Sequence, residues 1–222
     1  MPYSSLRDFI KILEKKGKLI TIKEPIDTKL ELTQLHKRFL ESSGPALLIE
    51  KPIHQGELSD IPILCNLFGT VERVAMGMDT DVAGIAKVGQ ALAMLRQPEP
   101  PGGVKDALKM APLFKKLLST NPKNVSKAPC QEMILKGDDI DLNKLPIQTC
   151  WPGEPAPLIT WPLIVTKGPN PKEDREDDFN LGIYRMQQLG RDKAIMRWLK
   201  HRGGAQHHRK WQEKKIEPLP AA

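Results

Sequence analysis

The side chains best suited to chemistry are concentrated in one stretch of this 222-residue chain, Phe179-Asn-Leu-Gly-Ile-Tyr-Arg-Met-Gln-Gln-Leu-Gly-Arg-Asp-Lys-Ala-Ile-Met-Arg-Trp-Leu-Lys-His-Arg-Gly-Gly-Ala205. Its pattern predicts a β-hairpin. Ile183, Arg185 and Gln187 share one strand face and Tyr184, Met186 and Gln188 the other, and Gly190-Arg191-Asp192 permits reversal into 193–199. Arg185, Arg197 and Arg202 then lie near one another. Planar guanidinium forks match phosphate oxygens in pairs, as lysine cannot. Gly203 and Gly204 follow Arg202 directly and would let backbone amides approach an anion closely. Arg-Gly-Gly also occurs in ordinary turns, so phosphate binding and a plain turn both stay open.

Closing the hairpin would bring Asn180, at the start of its first strand, to the same end as His201, which follows the second. An amide oxygen and an imidazole nitrogen can begin a site for a hard or borderline ion such as Mn²⁺, with a carboxylate or phosphate completing the shell. A strand-end asparagine and a surface histidine would give the same spacing. His207, His208 and Trp211 read as a solvated helix face. Cys150, beside Trp151-Pro152, has no assignable base and reads as a packing cysteine.

These groups must be positioned by a chain of mixed α and β elements. Ser5 can cap a helix carrying Leu6, Phe9, Ile10 and Leu13, with Gly17 placed to end it. Residues 19–22 alternate as a short strand, Pro25 stops it, and Asp27 offers a cap for a helix with Leu32, Leu35, Phe39 and Leu40. Residues 46–50 and 61–66 read as strands, and Val82, Ile85, Val88, Leu92 and Leu95 as a helix. Prolines and glycines over 97–103 break the first domain, and a helix is expected over 104–118. Beyond Cys130 the character shifts to strands at 132–135, over the run 158–167, and on both sides of 189–192. Residues 168–178 read as an exposed loop. The expected fold is α/β (α+β): a small α/β domain over 1–102, a helical linker over 103–127, and β-barrel material over 128–222.

Composition narrows the function classes. Thirty-four basic against 27 acidic residues give a formal charge of +7 and a pI near 9.3. The charges are interleaved and only 5% of residues are aromatic, which argues against a nucleic-acid-binding module. Three widely spaced cysteines with no CxxC pair fit a reducing compartment. No leader pattern is visible, and no apolar run approaches the roughly 18 residues that span a bilayer, so a cytoplasmic chain with at most peripheral membrane contact is expected.

Residues 180–185 (Asn-Leu-Gly-Ile-Tyr-Arg) and 197–205 (Arg-Trp-Leu-Lys-His-Arg-Gly-Gly-Ala) resemble the cofactor segments of UbiD decarboxylases. The likeness extends back through Leu6-Arg-Asp-Phe9, Gly44-Pro-Ala-Leu-Leu48, Cys65-Asn-Leu-Phe-Gly69, Arg73-Val-Ala-Met-Gly77 and Thr149-Cys-Trp-Pro152. The resemblance implies reversible, non-oxidative decarboxylation of an aromatic or unsaturated acid on prenylated FMN, made by a flavin prenyltransferase. It implies that Asn180 and His201 help hold Mn²⁺ against the cofactor phosphate. Ile183, Tyr184, Arg185, Arg197, Trp198, Leu199, Arg202 and Gly203 would line the flavin and its phosphate, with Arg185 also tuning proton delivery as the catalytic residue. Closeness of wording favours the ubiquinone-pathway branch, acting on a 4-hydroxy-3-polyprenylbenzoate at a membrane surface and assembling as homo-oligomers, often hexamers. On this likeness the chain is expected to be the N-terminal part of such an enzyme, ending inside a split β-barrel flavin domain, before the metal-binding glutamate and the acidic proton donor. It would then be inactive alone, either as a fragment or as a non-catalytic homologue that binds flavin phosphate or a partner chain.

Overall fold

The computed structural model describes residues 3–96, 125–169, 179–215 and 218–222. The break expected over 97–103, the helix over 104–118, nearly all of the linker over 103–127 and most of the loop over 168–178 lie outside the described residues. The chain divides into two units, one of Met1–Glu24, Gln34–Glu50 and Pro62–Asn124, the other of Pro25–Thr33, Lys51–Ile61 and Val125–Ala222.

In the first unit, the Ser5 side chain accepts a hydrogen bond from the Asp8 amide and opens α1 (Leu6–Lys15). Gly17 follows the helix at φ +65°, where a side chain would be strained. The 3.6-residue period puts Phe9 and Leu13 inward, and the unit's core forms around them with Leu19 and Ala46. Leu13 is fully buried, a gain of about 1.5–3 kcal/mol for such a side chain. Tyr3 packs edge-on to Phe9 at 4.8 Å and donates to the Met76 carbonyl at 3.0 Å. Strand β1 (Leu19–Ile22) runs parallel to β3 (Ala46–Ile49), with Leu19 opposite Ala46, and β6 (Ile63–Cys65) runs antiparallel to β3. The helices α3 (Val71–Gly77), capped by Thr70, and α4 (Gly84–Arg96) follow.

Asp27 does not cap the second helix as expected. It lies in β2 (Ile26–Asp27), and its carboxylate accepts from the Lys29 amide at 2.7 Å, while α2 (Glu31–Glu41) starts later. A local turn bond has taken the capping oxygen. Val82 precedes α4.

In the second unit β2 pairs in parallel with β4 (Pro52–His54), which pairs antiparallel with β5 (Glu57–Leu58). A second sheet has the order β11–β10–β7, with β7 at Leu158–Ile159, β10 at Met186–Gln188 and β11 at Ala194–Met196. A two-stranded ribbon joins β8 (Leu163–Lys167) to β9 (Phe179–Ile183) over five residue pairs. The helix α5 (Gly203–Glu213) contacts both ribbon strands, and Val165 exchanges backbone bonds with Ala222.

Three local expectations are corrected. Residues 132–135 carry no strand, because 3₁₀ turns at Pro129–Gln131 and Gly137–Asp139 bracket them and Met133, Ile134 and Leu135 stay exposed. The run 158–167 is two strands in different sheets, parted at Thr160-Trp161-Pro162, where proline removes a ladder donor. The hairpin is real only for β10 and β11. Its reversal is closed by the Leu189 amide donating to the Lys193 carbonyl at 2.8 Å, whereas β9, with Asn180, pairs with β8. The alternation of faces nevertheless holds: Tyr184 and Gln188 are buried while Ile183 and Arg185 are exposed.

Candidate functional site

The bend between β9 and β10, the residues after β11 and the start of α5 wall an open cleft of about 670 Å³. Nine of the ten residues singled out from sequence line it. Asn180 and Ile183 come from β9, Tyr184 and Arg185 from the bend, Arg197, Trp198 and Leu199 from the chain after β11, and Arg202 and Gly203 from the helix start. His201 is absent from the wall: it is exposed, and its carbonyl accepts from the Gln206 side chain at 3.0 Å. The structure therefore does not bring the His201 ring onto the wall with Asn180.

Electrostatics favour an anion here. The β10–β11 register places Met186 opposite Met196, and the Arg197 amide donates to the Arg185 carbonyl at 3.1 Å, extending the ladder by one step. Two guanidinium groups thus project from neighbouring cross-strand positions, an arrangement that destabilises a sheet unless an anion lies between them. Arg202 is the N-cap of α5 with no side-chain capping bond, and the positive end of the helix macrodipole is directed to the same region.

Both glycines at the helix start are required by close approach. A Cβ on Gly203 would lie 2.0 Å from Asn180 Oδ1, and one on Gly204 would lie 2.8 Å from Trp198 Cε3 and 3.1 Å from Tyr184 Cζ. Tyr184 is 5% exposed. Its hydroxyl accepts from the Gly204 amide at 2.9 Å and from Asn180 Nδ2 at 3.1 Å, and its ring meets Trp198 edge-on at 5.8 Å.

The helix face expected to be solvated is instead a packing face. His207 is buried, with Nδ1 3.0 Å from Thr166 Oγ1, Trp211 Nε1 donates to the Lys167 carbonyl at 2.8 Å, and His208 lies 5.6 Å from the Trp198 ring. The amphipathic ribbon β8–β9 supplies the surface that these residues cover.

Beside this cleft lies a second cavity of about 510 Å³ that shares Arg185, Arg197 and Trp198 and adds Glu154, Leu158, Gln187, Ile195 and Met196. Sequence reasoning passed over Glu154, whose signal was a lone acid in a proline-rich turn. Its Oε2 accepts from the Cys150 and Trp151 amides at 2.6 and 3.2 Å. Burial, then the Glu154 charge, pushes the Cys150 thiol upward, with Thr33 and Arg185 opposing, which agrees with a packing role.

The cleft fits a phosphate-bearing ligand: three arginines and a glycine-opened helix line a volume in the usual range of cofactor pockets, roughly 300–1,000 Å³. Fit to a metal ion is incomplete. Asn180 Nδ2 is committed to Thr166 and Tyr184, which leaves an oxygen donor beside Gly203. Among the described residues no group of three or more His, Cys, Asp or Glu could hold a metal.

Two family models match the chain. The 3-octaprenyl-4-hydroxybenzoate carboxy-lyase N-terminal domain matches residues 10–92, and the Rift-related domain of the same carboxy-lyase matches residues 123–222. The chain belongs to the UbiD family, whose N-terminal region it represents. Among solved structures it is similar to vanillic acid decarboxylase from Sedimentibacter hydroxybenzoicus in closed form (25% identity, TM-score 0.73, 99% of this chain and 42% of that one). It is also similar to apo 3,4-dihydroxybenzoic acid decarboxylase from Enterobacter cloacae (25%, 0.73, 100% and 42%). A third likeness is to an evolved dimeric form of the UbiD-class enzyme HmfF from Pelotomaculum thermopropionicum in complex with prFMN (25%, 0.69, 98% and 43%). The chain thus spans about two-fifths of the length of these relatives, and its mixed α/β fold with small sheets matches their N-terminal portion.

Proposed function

We propose that this chain provides the flavin-phosphate half of a UbiD-type decarboxylase that removes CO₂ from an aromatic acid, specifically a 4-hydroxy-3-polyprenylbenzoate giving a 2-polyprenylphenol in ubiquinone biosynthesis. The observation carrying the reading is the convergence of Arg185, Arg197, Arg202 and the Gly203 helix start on one cleft. In this reading Arg197, Arg202 and the helix amides bind the phosphate, Trp198, Leu199, Ile183 and Tyr184 form the wall against the ring system, and Asn180 turns its oxygen toward the cleft. Arg185 lines both cavities, which supports a role for its guanidinium in holding a substrate carboxylate beside the flavin and in tuning proton delivery. Prenylated FMN, when bound, supplies the electron sink for loss of CO₂. Asn180 is the cleft residue the chain would offer to Mn²⁺, and His201 would join it only by turning onto the wall, with the phosphate and a carboxylate completing the shell.

Domain boundaries at 102 and 127, homo-oligomeric (hexameric) assembly and peripheral binding to the inner face of the cell membrane belong to the same proposal. No helix among the described residues is long and apolar enough to cross a membrane. A second reading is a non-catalytic chain that binds flavin phosphate or a partner chain through the same arginine-lined cleft.

The test is to co-express residues 1–222 with a flavin prenyltransferase, purify the chain, and record flavin absorbance, bound Mn²⁺ and CO₂ release from polyprenyl-hydroxybenzoate. Bound flavin that is lost in Arg202→Ala supports the cleft assignment, and CO₂ release by the chain would decide for the first reading over the second. A colourless wild-type protein that also ignores added FMN would overturn both.

A further inference from the structure

We infer that Thr166 and His207, neither of which lines the cleft, are positioning residues that fix which end of the Asn180 amide faces it. Thr166 stands directly opposite Asn180 in the β8–β9 register and is fully buried; His207 behind it is 8% exposed. Thr166 Oγ1 lies 3.0 Å from His207 Nδ1 and accepts from Asn180 Nδ2 at 3.3 Å. A hydroxyl has one proton to give. With an unprotonated His207 Nδ1 taking that proton, Thr166 presents only lone pairs to Asn180 and selects the NH₂ end. The Tyr184 hydroxyl, which already accepts from the Gly204 amide, takes the second Nδ2 proton at 3.1 Å. With both amide protons engaged, Oδ1 is the atom left beside Gly203, on the cleft side. The result is a four-residue relay from the buried side of α5 to the wall, which presents an oxygen where a cation or a donor on a bound ligand would need one. Without the His207 acceptor, Thr166 can donate instead, and the amide is free to turn its NH₂ toward the cleft.

This inference rests on the cleft assignment for Asn180, so the experiment separates the two. FMN affinity of the whole chain is titrated with and without Mn²⁺, and side-chain NH₂ exchange of Asn180 is followed by NMR, for wild type, Asn180→Ala, Thr166→Val, Thr166→Ser and His207→Leu. Loss of one such bond should weaken Mn²⁺-linked FMN binding about five- to tenfold in Thr166→Val and His207→Leu, with Thr166→Ser close to wild type. Both weakened variants should also expose the Asn180 NH₂ to exchange. Wild-type affinity and protected NH₂ protons in His207→Leu, which leaves every group touching Asn180 in place, would overturn the inference even if Thr166→Val failed to fold. No Mn²⁺ linkage in wild type, or none lost in Asn180→Ala, would overturn the cation-facing role of Asn180 and the inference's ligand side with it. The NMR comparison would still decide whether Thr166 and His207 orient the amide.

Discussion

Substituting Gly203 by alanine separates intrinsic helix propensity from the contacts of the cleft. In an open helix position, Gly→Ala gains about 1 kcal/mol, because glycine gives up more backbone freedom on folding. Gly89 in α4 is such a position, with nothing within 4 Å of an added Cβ. At Gly203 the new methyl would meet Asn180 Oδ1 at 2.0 Å and Cγ at 2.6 Å, so either Asn180 leaves its bonds to Thr166 and Tyr184 or the helix start moves away from the cleft. Overpacking costs roughly 1–3 kcal/mol, which exceeds the propensity gain. Net destabilisation of about 1 kcal/mol is expected in Gly203→Ala, against stabilisation of about 0.5–1 kcal/mol in Gly89→Ala. All four tryptophans fall between residues 151 and 211, so urea unfolding read by tryptophan fluorescence reports on the second unit, and far-ultraviolet dichroism covers Gly89→Ala. FMN affinity should fall in Gly203→Ala and stay unchanged in Gly89→Ala. If Gly203→Ala proved as stable as wild type and bound FMN equally, the close approach of helix and asparagine would be refuted.

Three further outcomes are expected. Tyr184→Phe leaves the Gly204 amide and Asn180 Nδ2 without their shared acceptor, which should cost about 1–3 kcal/mol in the tryptophan-detected transition. With Ellman's reagent near pH 8, exposed Cys130 should react first, while Cys65, its thiol pushed up to about 12 by burial, and Cys150, raised by burial and then Glu154, should react only on unfolding. His54 is buried on β4 against Thr28, and burial lowers its folded pKa below 6.5, with Asp27 partly opposing. Below about pH 6.5 the unfolded chain therefore binds more protons than the folded one, and stability should fall as pH drops through that range; His54→Gln should flatten the dependence.

Much of the site was legible because its chemistry is written in local residue types. The three arginines and Gly203, for which the residues alone leave phosphate binding and a plain turn both open, line one cleft, and the alternation of faces survives in buried Tyr184 and Gln188 against exposed Ile183 and Arg185. The errors share a different cause. The partner of β9 is β8, and the role of His207 depends on Thr166, 41 residues away; neither leaves a signal in its own neighbourhood. Asp27 looked like a cap until a closer amide, that of Lys29, claimed its oxygen.

The sequence by itself determined the helices with strong periodicity and clear caps, the reversal after Leu189, the family, and the residue types facing the cleft. Those depend on propensity, side-chain period and turn chemistry within a few residues. Only tertiary structure decided which strand pairs with which, that His201 stays off the cleft wall, that Glu154 joins Arg185 in lining a second cavity, and that a buried threonine and histidine stand behind Asn180. Each of these is a contact between distant segments, fixed by which hydrogen bonds can be satisfied once apolar faces are buried, and no local pattern encodes that choice.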